Sequence, residues 1–162
     1  MRIADLIEKE LTRAKNTAYR YLSYRPRSRA EIETKLQDKE FDESIVAAVL
    51  ADLARLGYVN DEQFARAWAR GRVRLRGFGR RRVDQELKAK GVAPEIIGET
   101  LAEVFGETSE TETAMQVAEK KLRTMQHLEP EARKRRLAGL LERKGYAFSV
   151  IWEVLSALRK TL

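Results

Sequence analysis

The 162-residue sequence has no cysteine, one histidine and only three prolines and nine glycines. Without cysteine there is no disulfide framework, no thiolate metal site and no cysteine nucleophile. His127 alone cannot build a histidine metal site or a Ser–His pair. The low content of proline and glycine also argues against a linker-rich chain. We therefore expect a folded protein that is not an enzyme, with no catalytic residues, no metal and no cofactor.

Long apolar runs are missing as well. The uncharged run 44–51 is far shorter than the roughly 20 residues that a membrane-spanning helix needs. The N-terminal apolar residues alternate with Asp5, Glu8 and Glu10, which is not typical of a secretory signal. The sequence predicts a cytoplasmic protein with no membrane contact.

Apolar residues recur in steps of three and four along almost the whole chain, which is the pattern of amphipathic helices. The first such stripe predicts one long helix from about Ile3 to Tyr24, ended by Pro26 because the residue before a proline is disfavoured in the α region. Ser28 and Glu31 then have the spacing of a capping box, which opens a second helix.

This helical pattern occurs three times, with offsets of 51 and 54 residues between copies. We therefore predict an all-α fold of three tandem three-helix modules, residues 1–59, 60–109 and 110–162, stacked into an elongated, curved chain. A chance alignment of ordinary amphipathic helices is the alternative. The matching core positions are Ile32, Val83 and Leu137, then Leu36, Leu87 and Leu141, with Glu40, Gly91 and Gly145 at the helix ends.

Positive charge is concentrated in one segment. The sequence has 32 basic and 25 acidic residues, and ten of the basic but only two of the acidic residues lie in the segment from Arg66 to Lys90. The rest of the chain holds 22 basic and 23 acidic residues and is therefore nearly neutral. The stretch RGRVRLRGFGRRR, residues 70–82, is compatible with a disordered arm, an edge strand, a phosphate-binding glycine loop or the surface of a folded module. The helical frame favours the last, with Gly77-Phe78-Gly79 as a turn between helices because the nucleotide-loop ending is missing.

On a helix, Phe64, Trp68 and Leu75 would share an apolar face, while Arg66, Arg70 and Arg74 would form a separate basic stripe. No acidic residue lies between Arg66 and Arg82, so we expect an external anion to relieve the repulsion within this stripe. The four glutamates at positions 95, 99, 103 and 107 are interpreted as a solvated face, with the bracing of a neighbouring basic helix as the alternative. The tyrosines at 19, 21 and 24 and both tryptophans are expected to serve packing, with platforms for base stacking as the alternative.

The predicted binding surface consists of the basic residues of the second module and a weaker basic patch in the third. Arginine predominates in the first set, and its planar fork suits phosphate and carboxylate groups. The residues are Arg66, Arg70, Arg72, Arg74, Arg76, Arg80, Arg81, Arg82, Lys88, Arg133, Lys134, Arg136, Arg143 and Lys144.

Three segments resemble the bacterial RecX family of recombinase regulators. They are RPRSRAEIETKL at 25–36, LGYVNDEQFARAW at 56–68 and GFGRRRVDQELKAKGV at 77–92, with a weaker match in LLERKGYAFSVIWEVL at 140–155. The resemblance covers roughly residues 14–160. Ile32 and Val59 stand where leucine is common in the family, and both changes preserve an apolar side chain.

The resemblance implies tandem three-helix repeats that bind the RecA recombinase filament in its groove. Such proteins block filament extension or promote disassembly, and so reduce ATP hydrolysis, strand exchange and co-protease activity. It also implies weak, non-specific binding to single- and double-stranded DNA, and we expect a monomer. A stand-alone DNA-binding protein, such as a helix-turn-helix transcription factor, is the alternative hypothesis. The placement of the arginines argues against this alternative. They span two helices and the turn between them, whereas a recognition helix would carry base-reading Asn or Gln.

Overall fold

The computed structural model describes residues 2–162, and within this range the regular structure is helical throughout. The prediction of an all-α fold with three consecutive three-helix modules is confirmed. The first module contains α1 (Ile3–Tyr24), α2 (Arg29–Asp38) and α3 (Glu43–Arg55). The second contains α4 (Asp61–Arg76), α5 (Arg80–Ala89) and α6 (Pro94–Glu107). The third contains α7 (Glu110–Leu122), a short 3-10 turn (Arg123–Met125), α8 (Pro130–Arg143) and α9 (Phe148–Ala157).

The helix boundaries follow local sequence signals. Helix α1 has the predicted bounds, and the capping box of α2 is present, with the Ser28 hydroxyl accepting from the Glu31 N–H and the Glu31 carboxylate accepting from the Ser28 N–H. After the second helix of each module the chain turns through a residue with positive φ, at Glu40 (62°), Gly91 (71°) and Gly145 (91°). These are the three positions that the repeat offsets align, so the backbone repeats as the sequence does.

Each module has its own hydrophobic core. Ile32 and Leu36 lie in the first core, Val83 and Leu87 in the second, and Leu137 and Leu141 in the third, and all six are fully buried. These are the six core positions predicted from the offsets. Three small cores in a row, instead of one large core, leave each module dependent on its own helix packing and on contacts with its neighbours.

Two predicted apolar stripes extend beyond the cores. Leu75 is 79% exposed, so its assignment to the apolar face of α4 is wrong; Phe64, Ala65 and Ala69 form the buried face instead. Leu75 lies in the last turn of α4. Ile3 and Ile7, in the first two turns of α1, are also exposed.

The surface area fits an elongated molecule. The chain exposes 10617 Å², whereas a compact monomer of this mass exposes about 8,300 Å². Within residues 2–162, the hydrogen bonds and ion pairs between modules all join the second module to the first or to the third. The modules are therefore arranged in a row.

The two junctions between modules each have a hydrogen bond between equivalent positions. At the first junction the Ser28 hydroxyl, at the N-cap of α2, donates to the carbonyl of Lys90 at the end of α5 (2.6 Å). At the second junction the N–H of Gly79, at the N-cap of α5, donates to the carbonyl of Lys144 at the end of α8 (2.7 Å). The partners in the two contacts are related by the repeat offsets.

A second contact also occurs at both junctions. The N–H of Arg29, the first residue of α2, donates to the carboxylate of Asp61, the first residue of α4 (2.8 Å). The N–H of Arg80, the first residue of α5, donates to the carboxylate of Glu110, the first residue of α7 (3.0 Å). Each helix start thereby satisfies one of its free N–H groups with an acidic residue of the next module.

Candidate binding surface

The predicted basic residues fall into two groups once their side-chain partners are considered. Six are engaged by other parts of the protein, and eight form no side-chain hydrogen bond or ion pair with any other part of residues 2–162. Seven of these eight are exposed and Arg66 is half-buried. The eight are Arg66, Arg74, Arg76, Arg80, Arg81, Lys134, Arg136 and Arg143.

Arg70 already has acidic partners within the chain. Its guanidinium donates to Glu103 (2.7 Å) and to Glu107 (2.8 Å) on α6. These hydrogen bonds raise the pKa of Arg70 and lower the pKa of Glu107. The glutamates at 103 and 107 therefore stabilise α4, and the interpretation of the acidic stretch as only a solvated face is wrong for these two residues. The alternative, that this stretch braces a neighbouring basic helix, describes both residues, because α6 packs against α4.

Arg72 belongs to a half-buried cluster around Trp68. Its guanidinium lies over the indole ring (4.2 Å to the centroid) and donates to Glu86 (2.8 Å), which also accepts from the indole Nε1 (2.9 Å). A cation held over an aromatic face and paired with a carboxylate has little freedom to reach a ligand. Arg82 also pairs with Glu86 (3.5 Å), and Lys88 pairs with Asp84 on its own helix (2.6 Å).

Two basic residues of the third module are engaged in structural contacts. Arg133 donates to the carbonyls of Leu128, Gln126 and Leu162, and so holds the loop before α8 and the C-terminus together. Lys144 donates to the carbonyl of Arg76 at the second junction (2.5 Å). Burial, followed by the positive charges of Arg76, Lys120 and Arg82, lowers the pKa of Lys144.

The unpaired arginines at the end of α4 border a groove of about 600 Å³ between α4, α7 and α8. Its described lining includes five cations and no acidic side chain: Arg74, Arg76, Lys120, Lys121 and Lys144. Sequence analysis missed the two lysines of α7 because they follow the acidic stretch in the chain. The Lys-Lys pair at the end of that helix was the available signal.

A second basic groove lies in the first module, which sequence analysis treated as neutral. This groove of about 620 Å³ is formed between α1 and α2 and has four cations and three aromatic rings in its lining. The overall charge of the module conceals it, because the acidic residues lie elsewhere. The charged and aromatic residues are Arg13, Arg20, Lys35, Lys39, Tyr21, Tyr24 and Phe41.

The expectation that all five aromatic residues serve packing is wrong for two of them. Tyr24 is 78% exposed and Trp152 is 62% exposed. Tyr24 lies in the last turn of α1 at the edge of the first-module groove, and Trp152 lies on the outer face of α9. Trp68 is half-buried and Tyr19 stacks edge-on against Tyr58 (5.5 Å).

Residues 2–162 contain no group of three or more His, Cys, Asp or Glu side chains arranged to hold a metal ion. No helix in this range has the length and hydropathy needed to cross a membrane. The surface that the fold offers for recognition is therefore defined by charge and by shape. The fold and this surface define a class: a basic, all-helical protein of three tandem three-helix modules.

Comparison with known proteins identifies the family. The sequence profiles of the first, second and third three-helix domains of RecX match residues 14–53, 60–101 and 108–155. The regulatory protein RecX of Mycobacterium sp. (strain JLS) is 37% identical over 140 residues, covering 85% of this chain and 76% of the relative. RecX of Streptomyces coelicolor is 37% identical over 134 residues, covering 83% of this chain and 71% of the relative. The chain belongs to the RecX family of regulatory proteins.

Solved structures agree on the fold. The crystal structure of RecX from Lactobacillus salivarius superposes with a TM-score of 0.80, covering 94% of this chain and 98% of that chain at 22% identity. A second RecX crystal structure gives a TM-score of 0.78 over 94% of this chain and 75% of that chain at 24% identity. At this identity the similarity establishes the shared architecture only.

Proposed function

We propose that this protein inhibits the RecA recombinase by binding along the groove of the RecA–DNA filament as a monomer. Bound there, it blocks filament extension or promotes disassembly, and so lowers ATP hydrolysis, strand exchange and co-protease activity. The observation that carries the proposal is the series of three RecX domains, arranged in a row and presenting unpaired cations near the second junction. An elongated basic protein of this kind suits a repeating, negatively charged surface.

The proposed contact surface is centred on the end of α4 and the start of α5. Arg74, Arg76, Arg80 and Arg81 are exposed and have no side-chain partner within residues 2–162, so their charge is available to phosphates or acidic side chains. Arg70 and Arg72 are excluded from this surface because α6 and α5 already neutralise them. DNA alone should be bound weakly and without sequence preference, since these cations recognise the backbone and not base edges.

The test is RecA ATP hydrolysis on single-stranded DNA with substoichiometric amounts of the protein. The wild type should slow hydrolysis, because one regulator at a growing filament end prevents many later additions. The variant R74E/R76E/R81E should lose inhibition and retain its helicity, because these side chains are exposed and form no hydrogen bond or ion pair within residues 2–162.

A matched control makes the same change of charge far from the proposed surface. Lys9 is in α1, Arg159 and Lys160 follow α9, and all three are exposed, so K9E/R159E/K160E should inhibit as the wild type does. Equal loss of inhibition in both variants would mean that net charge alone matters and that the assigned surface is wrong. A failure of the wild type to inhibit would reject the proposed function itself.

A further inference from the structure

The two module junctions place different charges at equivalent positions. The repeat offsets align Arg25 with Arg76, Glu31 with Arg82 and Lys90 with Lys144. At the first junction the Glu31 carboxylate accepts from Arg25 (2.5 Å) and from Lys90 (3.2 Å), so one anion links cations of two modules. That carboxylate is largely buried, with 14% of its side chain exposed.

The second junction keeps the geometry but lacks this anion. Lys144 takes the place of Lys90 and lies beside Phe78 (5.5 Å from ring centroid to Nζ), as Lys90 lies beside Trp68 (4.6 Å). Arginine stands at position 82, where the first junction has its carboxylate. Arg76, Arg82 and Lys120 are close enough to Lys144 to lower its pKa.

The acidic residues near the second junction are already engaged. Glu86 pairs with Arg82 but is shared with Arg72 and the indole of Trp68. Glu110 accepts the N–H of Arg80 at the start of α5. Neither is a cause of the shift at Lys144, where the surrounding charges are positive. The cations of this junction therefore remain without the bridging anion that the first junction has.

We propose that the groove between α4 and α7 binds a phosphate group at the second junction, where it links Arg76 and Lys120 with Lys144 as Glu31 links Arg25 with Lys90. A phosphate suits the site because it carries up to two negative charges and three acceptor oxygens, and arginine binds it with two hydrogen bonds. The groove is open to solvent and Arg74 and Lys121 add two more cations to its lining, so a phosphate within a longer chain fits as well as a free one.

A bound phosphate would join the second and third modules. Arg76 belongs to the second module, whereas Lys120 and Lys144 belong to the third, so a shared anion opposes their separation. This inference deepens the proposed function, because a DNA strand is one source of phosphate, and it adds that binding stiffens the junction. Its test contains no recombinase and is therefore independent of the inhibition assay.

The experiment measures thermal unfolding of the full chain by circular dichroism while sodium pyrophosphate replaces sodium chloride at constant ionic strength. At ten times the dissociation constant, the wild-type melting temperature should rise by about 3–6 °C. R76A/K120A should show only the smaller rise that excluded anions cause in any protein. Both side chains are exposed, so this variant is expected to fold.

Two further variants sharpen the result. R82E places a carboxylate at the position of Glu31 and should respond no more than R76A/K120A, because the anion is then supplied within the chain. K9A/K160A removes two exposed cations elsewhere and should respond as the wild type does. Equal responses of the wild type and R76A/K120A would overturn the proposal.

The source of the phosphate is resolved by two more titrations. If oligothymidylate raises the melting temperature at a lower phosphate concentration than pyrophosphate, the site takes a nucleic-acid strand; if pyrophosphate alone acts, the site takes a free anion. Both results support phosphate recognition. An equal rise with polyglutamate at the same charge concentration would overturn it, because the site would then not distinguish phosphate from carboxylate.

Discussion

The two junctions of this protein have hydrogen bonds at equivalent positions but differ in charge. At both, the N-cap of one module's second helix contacts the end of the next module's second helix, and a helix N–H meets an acidic residue of the next module. At the first, Glu31 completes the ionic contacts within the chain. At the second, Arg82 occupies the equivalent position. Hydrogen bonds at the helix starts are therefore common to both junctions, while the residue at position 31 or 82 determines whether the neighbouring cations have an anion between them.

The aromatic residues extend this comparison. Trp68 is approached by Arg25, Arg72 and Lys90, and Phe78 is approached by Arg72, Arg82 and Lys144. Arg72 is common to both rings, at 4.2 Å from Trp68 and 5.8 Å from Phe78. Each junction thus holds its lysine against an aromatic face, and one half-buried arginine connects the two junctions through the second module.

Gly145→Ala should break the second junction with the largest effect on stability. Gly145 has φ of 91°, and a Cβ there would overlap the backbone N of Arg82. Backbone strain and displacement of α5 together should cost about 2–5 kcal/mol in the free energy of unfolding. Urea denaturation followed by circular dichroism measures the loss.

The control for this variant is Gly57→Ala. Gly57 also has positive φ, 80°, but no atom lies within 4 Å of the added Cβ. It should lose only the strain contribution, about 1–2 kcal/mol. Equal losses in the two variants would show that the close approach of α5 to Gly145 contributes nothing to the junction.

Glu31→Gln should weaken the first junction by a smaller amount that depends on pH. Burial raises the pKa of Glu31, but hydrogen bonds from Arg25, the Ser28 N–H and Lys90 outweigh this and lower it below 4.5 overall. A lowered folded-state pKa contributes stability that is present above pH 4.5 and lost as pH falls through the lowered value. The variant should lose about 1–2 kcal/mol at pH 7.

Urea denaturation at pH 7 and at pH 3 measures this dependence. The difference between wild type and E31Q should shrink at pH 3, where protonation removes the wild-type advantage. E33Q, two residues along the same helix, changes a carboxylate with no ion pair in the described chain and should match the wild type at both values. A constant E31Q deficit at both pH values would mean that the charge of Glu31 does not hold the junction.

Much of the fold was accessible from the sequence because its signals are local and repeated. The bounds of α1 follow from an apolar stripe and Pro26, and the α2 capping box follows from Ser28 and Glu31. The alignment of Glu40 with Gly91 and Gly145 predicted a shared helix end, and all three residues have positive φ. Leu75 shows the limit of such signals. Periodicity identifies the apolar face of a helix, but not which residues on that face are covered by a neighbouring element.

The binding surface was less accessible because it depends on contacts between distant segments. The basic composition of α4 and α5 showed where the positive charge is concentrated. It did not show which arginine the acidic stretch neutralises, and in the structure Glu103 and Glu107 pair with Arg70. Lys120 and Lys121 reach the groove only because α7 packs beside the end of α4. The repeat offsets do align Glu31 with Arg82, so the change of charge at this position can be read from the sequence. That the change removes an anion from beside a lysine is known only from the contacts of Lys90 and Lys144.

The smallest expected effect is on the salt dependence of DNA binding, and it compares two arginines of α4, one with acidic partners and one without. Arg74 is exposed and unpaired within residues 2–162, whereas Arg70 is held by two glutamates. If Arg74 contacts a phosphate of single-stranded DNA, R74A should reduce the slope of log affinity against log salt by about 0.7. R70A should leave the slope unchanged, because Arg70 releases no counterions from DNA. Fluorescence anisotropy of labelled oligothymidylate across a salt series measures both slopes. A reduced slope in R70A with none in R74A would reverse the assignment, placing Arg70 on the DNA in preference to its glutamates.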